Sequence, residues 1–172
     1  MNEHPADRLS AAELKDWLRD AALNWLAHDG LWFRAVEDAY GMEKAIALDK
    51  KAWESFTVIE AKRIMKRLSI PPGGGIPALV RALGGRLYAL INVQEVSEAD
   101  ERRCVFRMKA CRVQDARKKQ GLPDFPCKEV GIVEYSGFAR TIDPRIETRC
   151  LYCPPDPHPE DSHCAWEFIL RD

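Results

Sequence analysis

The chain has 172 residues, 46% hydrophobic and 31% charged, with 26 basic against 27 acidic side chains and a net charge of −1. A chain of this size buries roughly 70% of its unfolded surface without help from disulfides or metal, and its composition excludes a disordered protein. The charge balance speaks against nucleic acid or an anionic bilayer as a partner. No apolar run reaches the ~18 residues of a membrane span, and residues 1–5 lack the basic and apolar regions of a secretory leader. A cytoplasmic location is expected.

The first half reads as helical. Ser10-Ala11-Ala12-Glu13 is a capping box. Leu14, Trp17, Leu18, Ala21 and Trp25 follow at helical spacing, and Asp29-Gly30 predicts a stop. A short helix is expected over residues 31–40, ended by Gly41, and a long one over residues 42–68. The long helix carries two apolar stripes, Leu48, Ala52, Phe56 and Ile59 in one and Trp53, Ala61, Ile64 and Leu68 in the other. Residues 70–75 (Ile-Pro-Pro-Gly-Gly-Gly) read as a linker. They are not a phosphate loop, because no Lys-Ser/Thr follows and no strand leads in. The basic runs Lys62-Arg63, Lys66-Arg67 and Arg117-Lys118-Lys119 read as solvated faces.

The second half changes period. After a short helix over residues 77–83, Leu87, Ala89, Ile91 and Val93 alternate with their neighbours as in a strand. A polar turn over residues 97–102 leads to a second alternating run over residues 104–111, which places Cys104 and Cys111 on opposite faces in the absence of a bulge. A linker containing Gly121 and Pro123 precedes a helix from Cys127 to near Ile142. Two further strands, residues 147–152 and 164–170, flank a Pro-rich loop, and Cys164, Trp166, Phe168 and Leu170 share one face of the second. The expected fold is α+β, N-terminal helices followed by a β-β-α-β-β antiparallel sheet domain. Residues 1–70 form the helical region and residues 76–172 the cysteine-containing region of one structural unit.

These residues carry a resemblance. Asp29-Gly30-Leu31-Trp32-Phe33, Tyr40-Gly41-Met42-Glu43-Lys44-Ala45 and Trp53 resemble the helical half of bacterial cytosolic L-2-amino-thiazoline-4-carboxylate hydrolase-like proteins. The C-terminal layout, with Pro126-Cys127-Lys128, residues 138–146, Cys150-x-x-Cys153-Pro154-Pro155-Asp156 and Cys164-Ala165-Trp166-Glu167-Phe168, resembles the 4-vinyl reductase domain. That resemblance implies a small-molecule-binding fold whose members often hold zinc through cysteines. It also implies a pocket where Trp53 or Phe56 of the helices meets the sheet, with Arg140 or Tyr135 near its rim, as an apolar wall with a few polar groups would provide.

All six cysteines lie between Cys104 and Cys164. Cys150-x2-Cys153 can place two thiolates on one metal, and Cys164 and Cys127 can supply a third and a fourth, with the helix start at Cys127 favouring its thiolate. Zinc is the favoured metal. A [4Fe–4S] cluster is the alternative, and Cys111, His158 and His163 are alternate ligands. Buried free thiols are the plain competing reading. Glu134, Tyr135, Arg140, Asp143 and Arg145 lie together near one helix end, either lining a pocket or as a cap and salt-bridge set. Three functions are carried forward. The first is a small-molecule-binding or sensing domain with a cysteine-held metal, with a homodimer as a further partner. The second is a hydrolase of a small cyclic amide or thiazoline using Cys or metal-bound water. The third is an interaction module with structural zinc.

Overall fold

The computed structural model describes residues 4–172. Helix α1 (Ala11–Tyr40) opens on the capping box, with Ser10 Oγ accepting from the Glu13 amide and Glu13 accepting from the Ser10 amide at 2.8 Å. It runs straight through Asp29-Gly30, where the sequence predicts a stop. An interior glycine costs about 1 kcal/mol. That is less than the inner face gains by continuing from Ala22 and Leu26 to Val36 and to Phe33, whose ring meets Phe125 at 4.7 Å. Gly41, at φ 83°, turns the chain in one residue. Helix α2 (Met42–Leu68) then folds back, so that Trp25 of α1 stacks on Phe56 at 5.5 Å. Of the two α2 stripes, the one with Trp53, Ala61 and Ile64 is buried, while Leu48 and Ile59 of the other are exposed.

Residues 70–75 are tied down. The Gly73 amide donates to Ile142 O at 2.9 Å and the Gly75 amide to Asp143 Oδ2 at 3.1 Å. Helix α3 (Gly75–Leu83) follows, and then Leu87–Leu90 form a 3₁₀ turn where a strand is expected. Side-chain anchoring overrides the alternation there, because Arg86 is buried and Tyr88 packs on Trp25 and Trp53. Strand β1 therefore starts only at Val93 (Val93–Ser97).

Strands β1, β2 (Arg103–Ala110), β3 (Ile146–Tyr152) and β4 (Cys164–Leu170) form one antiparallel sheet in the order β1-β2-β4-β3. The fold class is α+β, as expected. Between β2 and the next helix the sequence reading has a linker and the structure has helix α4 (Arg112–Lys119). Its buried Gln114 exchanges hydrogen bonds with the Phe125 backbone at 2.9 Å each way. Arg117 is not on a solvated face. It is buried, bonded to both Glu37 carboxylate oxygens at 2.8 and 3.1 Å and to Pro123 O.

Helix α5 (Lys128–Ile142) lies between the sheet and α2. Two glycines set those distances. A Cβ on Gly131 would stand 2.6 Å from the Trp166 ring, and one on Gly137 would stand 2.6 Å from Thr57 Cγ2. The core joins α2, α3, α5 and one sheet face, with Phe106, Phe138, Trp166 and Phe168 at its centre.

Candidate functional site

The sheet face toward the helices carries two cross-strand rows. One runs Val96, Phe106, Trp166, Cys150, and the other Gln94, Met108, Cys164. At the β1 end of these rows, between α3, the 3₁₀ turn and β1, an open cleft of about 380 Å³ has Val80, Leu83, Ala89 and Phe106 as apolar walls. Asn92 and Gln94 are the polar side chains of its lining, and none of the lining residues is charged. At the other end of the rows lie the thiols. A residue's facing-strand partner points to the same side of the sheet, so cleft and cysteines share one wall.

Behind Phe106 the structure brings together residues that the sequence reading does not. Phe106 meets Tyr135 at 5.6 Å between ring centroids. Beyond Tyr135 lies the Arg86 guanidinium, 5.0–5.8 Å from the rings of Trp53, Tyr88, Tyr135 and Phe138. Arg86 Nε donates to Glu60 Oε2 at 2.9 Å, and Nη2 contacts Glu134 Oε1 at 2.6 Å outside hydrogen-bond alignment. Among the described residues, Arg86 Nη1 has no acceptor. Burial raises the Glu134 pKa against the pull of Arg86. Arg86 itself stays protonated, because Glu134 and Glu60 outweigh the cost of its burial. Nearby, burial and the charges of Asp29 and Glu134 push the Asp49 carboxyl up to about 7, against a hydrogen bond from Trp53. A lone arginine in the otherwise uncharged run Leu83-Gly84-Gly85-Arg86-Leu87-Tyr88-Ala89-Leu90 is the sequence signal that points to this cluster.

Of the expected ligand-binding residues, Trp53 and Tyr135 flank Arg86 and Phe56 packs on Trp53, while Arg140 lies apart. Trp53 and Phe56 belong to the aromatic cluster with Trp25 and Tyr88. Tyr135 is buried in the core between Phe106 and Trp166. Arg140 is exposed on another side of α5, in a groove of about 590 Å³ with Glu54, Thr57, Ile132 and Ser136. The charged set near the α5 end also divides. Glu134 faces Arg86, whereas Asp143 pairs with Arg145 at 2.8 Å and caps α3.

The cysteines are better gathered. Cys127 immediately precedes α5, Cys150 sits in β3, Cys153 follows the bulge after it, and Cys164 opens β4. The Cys127 and Cys153 sulfurs stand 3.5 Å apart, near the ~3.8 Å edge of a tetrahedron with zinc–sulfur bonds of about 2.3 Å. The Cys153 thiol also hydrogen-bonds to Cys164, whose sulfur accepts from Trp166 Nε1 at 3.4 Å. Gln114 Nε2 points at Cys127 Sγ from 3.6 Å. Hydrogen bonds to Cys127 and Cys164 hold the Cys153 thiol protonated, and the same bond from Cys153 lowers Cys164. Burial pushes Cys150 up to about 11 and Cys111 to about 12. One pair, Cys127 and Cys153, thus stands at a spacing that two zinc ligands could take, and among the described residues no group of three His, Cys, Asp or Glu is set in metal-holding geometry. Of the alternates, Cys111 precedes α4, and the His158 and His163 rings stand 5.7 Å apart. Cys104, on the core face with Phe106 and Met108, is not part of the group.

A family model matches residues 7–170, nearly the whole chain, and its description reads family of unknown function (DUF6125). The chain belongs to the DUF6125 family. That match carries neither of the two names the motifs resemble, and a search of curated proteins found no match. Among solved structures, this DUF6125 chain is similar to the phenol-responsive sensory domain of the transcription activator PoxR, solved with phenol. The TM-score is 0.58 at 19% identity, over 84% of this chain and 73% of that one. At such identity the likeness is one of fold. No helix among the described residues of this DUF6125 protein is long and apolar enough to cross a membrane.

Proposed function

We propose that this protein is a small-molecule-binding sensor domain whose ligand sits in the cleft between α3, the 3₁₀ turn and β1. The observation that carries the reading is the cleft's make-up at a helix–sheet seam: about 380 Å³, apolar walls and two carboxamide side chains, within the usual size of such sites. An uncharged lining favours a neutral ligand, since a buried ion would lack a partner. A small aromatic alcohol fits, with its ring on Phe106 and its hydroxyl toward Gln94 or Asn92. The fold shared with a phenol-responsive domain supports the same class.

Calorimetric titration with phenol and with benzoate tests this. Phenol should bind saturably and benzoate at least about tenfold more weakly, the discrimination expected of a site without a countercharge. Ala89→Trp, which fills the cleft, should abolish phenol binding while the protein stays folded. Binding of neither compound, or phenol binding unchanged in Ala89→Trp, would refute the site.

A second part of the proposal is one structural zinc ion held by Cys127, Cys150, Cys153 and Cys164, which the 3.5 Å approach of the Cys127 and Cys153 sulfurs supports. Such an ion would fasten the start of α5 to the β3–β4 hairpin, where the Lys128 amide already donates to Pro154 O at 3.0 Å. Bound metal, measured by elemental analysis of protein purified without chelator, should approach one zinc per chain. A content under about a tenth would leave the cysteines as buried thiols. Burial pushes the Cys150 and Cys111 thiols up, which makes those two poor nucleophiles at neutral pH.

A further inference from the structure

We infer that two copies of this chain associate through α1, packed antiparallel along one apolar stripe. The inner face of α1 is covered by α2 and the 3₁₀ turn. Beside it runs a second face that nothing among the described residues covers. Leu14, Trp17, Leu18, Leu31 and Trp32 stand there between 40% and 72% exposed. With Ala21 and Ala35 they recur at heptad spacing, as 14, 21, 28 and 35, then 17, 24 and 31, then 18 and 32, while Trp25 between the last two turns inward onto Phe56 and Tyr88. Three heptads in register along a helix of 30 residues form a seam of the coiled-coil kind.

The stripe itself names a second copy as its occupant. The large residues sit at its two ends, and the middle holds Ala21, Asn24 and His28. Turning one α1 end for end about a point between Asn24 and Trp25 sets Trp17 opposite Trp32 and Leu18 opposite Leu31, twice over. This is the self-complementary arrangement of an isologous two-fold interface. The same register opposes the helix dipoles, whereas a parallel pair would stack His28 on His28. A polar residue at the centre of such a seam also fixes its register. The five large side chains expose on the order of 500 Å² per copy. A pair therefore hides roughly 1,000 Å² from them alone, the threshold of a specific interface before any polar rim is added. Two apolar clusters of that combined size, left exposed on one helix face, form an interaction surface.

Sedimentation equilibrium of the full chain, from about 1 to 100 µM, tests the inference. The wild type should be a dimer with a dissociation constant in the low micromolar range or below. Trp17→Lys and Trp32→Glu alter exposed positions, so both should keep the wild-type helical circular dichroism while weakening the dimer at least about 30-fold, since each removes the Trp17–Trp32 contact at both ends of the two-fold seam. Antiparallel pairing sets each new lysine against a new glutamate in the double variant, which should then recover at least about tenfold of the lost affinity. A monomeric wild type across the range would overturn the inference and leave the stripe to a different protein. A dimer indifferent to both single substitutions would overturn it as well. A double variant weaker than either single one would refute the antiparallel register. Phenol titration is independent of all these results.

Discussion

Replacing Arg86 by methionine keeps much of the side chain's length and removes its charge, which leaves Glu60 and Glu134 beside one another inside the protein. Both carboxylates are only 11% exposed, so little water can replace the guanidinium. Removing one partner from a buried ion set costs about 3–5 kcal/mol, a large share of the ~5–15 kcal/mol that holds a domain together. For a chain of this size the melting temperature should fall by roughly 6–20 °C. The loss should also depend on pH. Burial already raises the Glu134 pKa with Arg86 present, and removing the cation raises it further. A carboxyl whose folded pKa exceeds its unfolded one binds its proton more tightly in the folded state, so stability falls as pH rises from the unfolded value toward the folded one. Arg86→Met should therefore come closest to the wild type near pH 5 and fall furthest below it near pH 8.

Urea unfolding followed by tryptophan fluorescence at both pH values measures this. Arg86→Met combined with Glu60→Gln and Glu134→Gln should regain most of the loss, because no buried charge is then left without a partner. A single variant within about 1 kcal/mol of the wild type at both pH values, or one hurt more at the acid end, would refute the reasoning.

Other outcomes follow from the same structure. Gly131→Ala should destabilise by about 1–3 kcal/mol, since its Cβ meets a packed indole rather than a flexible side-chain end; thermal melts check it against Gly30→Ala, where nothing stands within 4 Å and the helix should gain up to about 1 kcal/mol. Asp49, at about 7 when folded, opposes folding increasingly as pH rises from about 4 through 7. Asp49→Asn should therefore be more stable than the wild type by about 1–2 kcal/mol at pH 8, after discounting for its partial exposure, and the gain should shrink toward pH 4. Cys153→Ser should lower bound zinc and melting temperature together, and an unchanged zinc content would show that Cys153 is no ligand.

Helix α2, β2, α5, β3 and β4 were legible in the sequence because their periodicity runs over many residues without interruption. The misread segments are those where one side chain outweighs the local pattern. Gly30 stops nothing because the face on either side of it is already buried. Arg86 and Tyr88 pull an alternating run out of the sheet and into a turn. Gln114 and Arg117 hold α4 through contacts with Phe125 and Glu37, neither of which is visible from its own short, polar sequence. The proximity of Cys127 and Cys153 was legible because the start of α5 and the end of β3 are element ends that the sequence locates. The Arg86 cluster was not, because Glu60, Arg86 and Glu134 come from three distant segments whose meeting depends on packing.

The two glycines of α5 make that helix a spacer of fixed thickness. With Trp166 against its backbone on one side and Thr57 on the other, no side-chain rearrangement is available to absorb a shift of the sheet. A displacement of β4 at Trp166 would therefore press on the α5 backbone itself, whose opposite side bears on Thr57 of α2. A molecule wedged against Phe106, the cross-strand partner of Trp166, would in this way be felt at α2 without any element having to unfold.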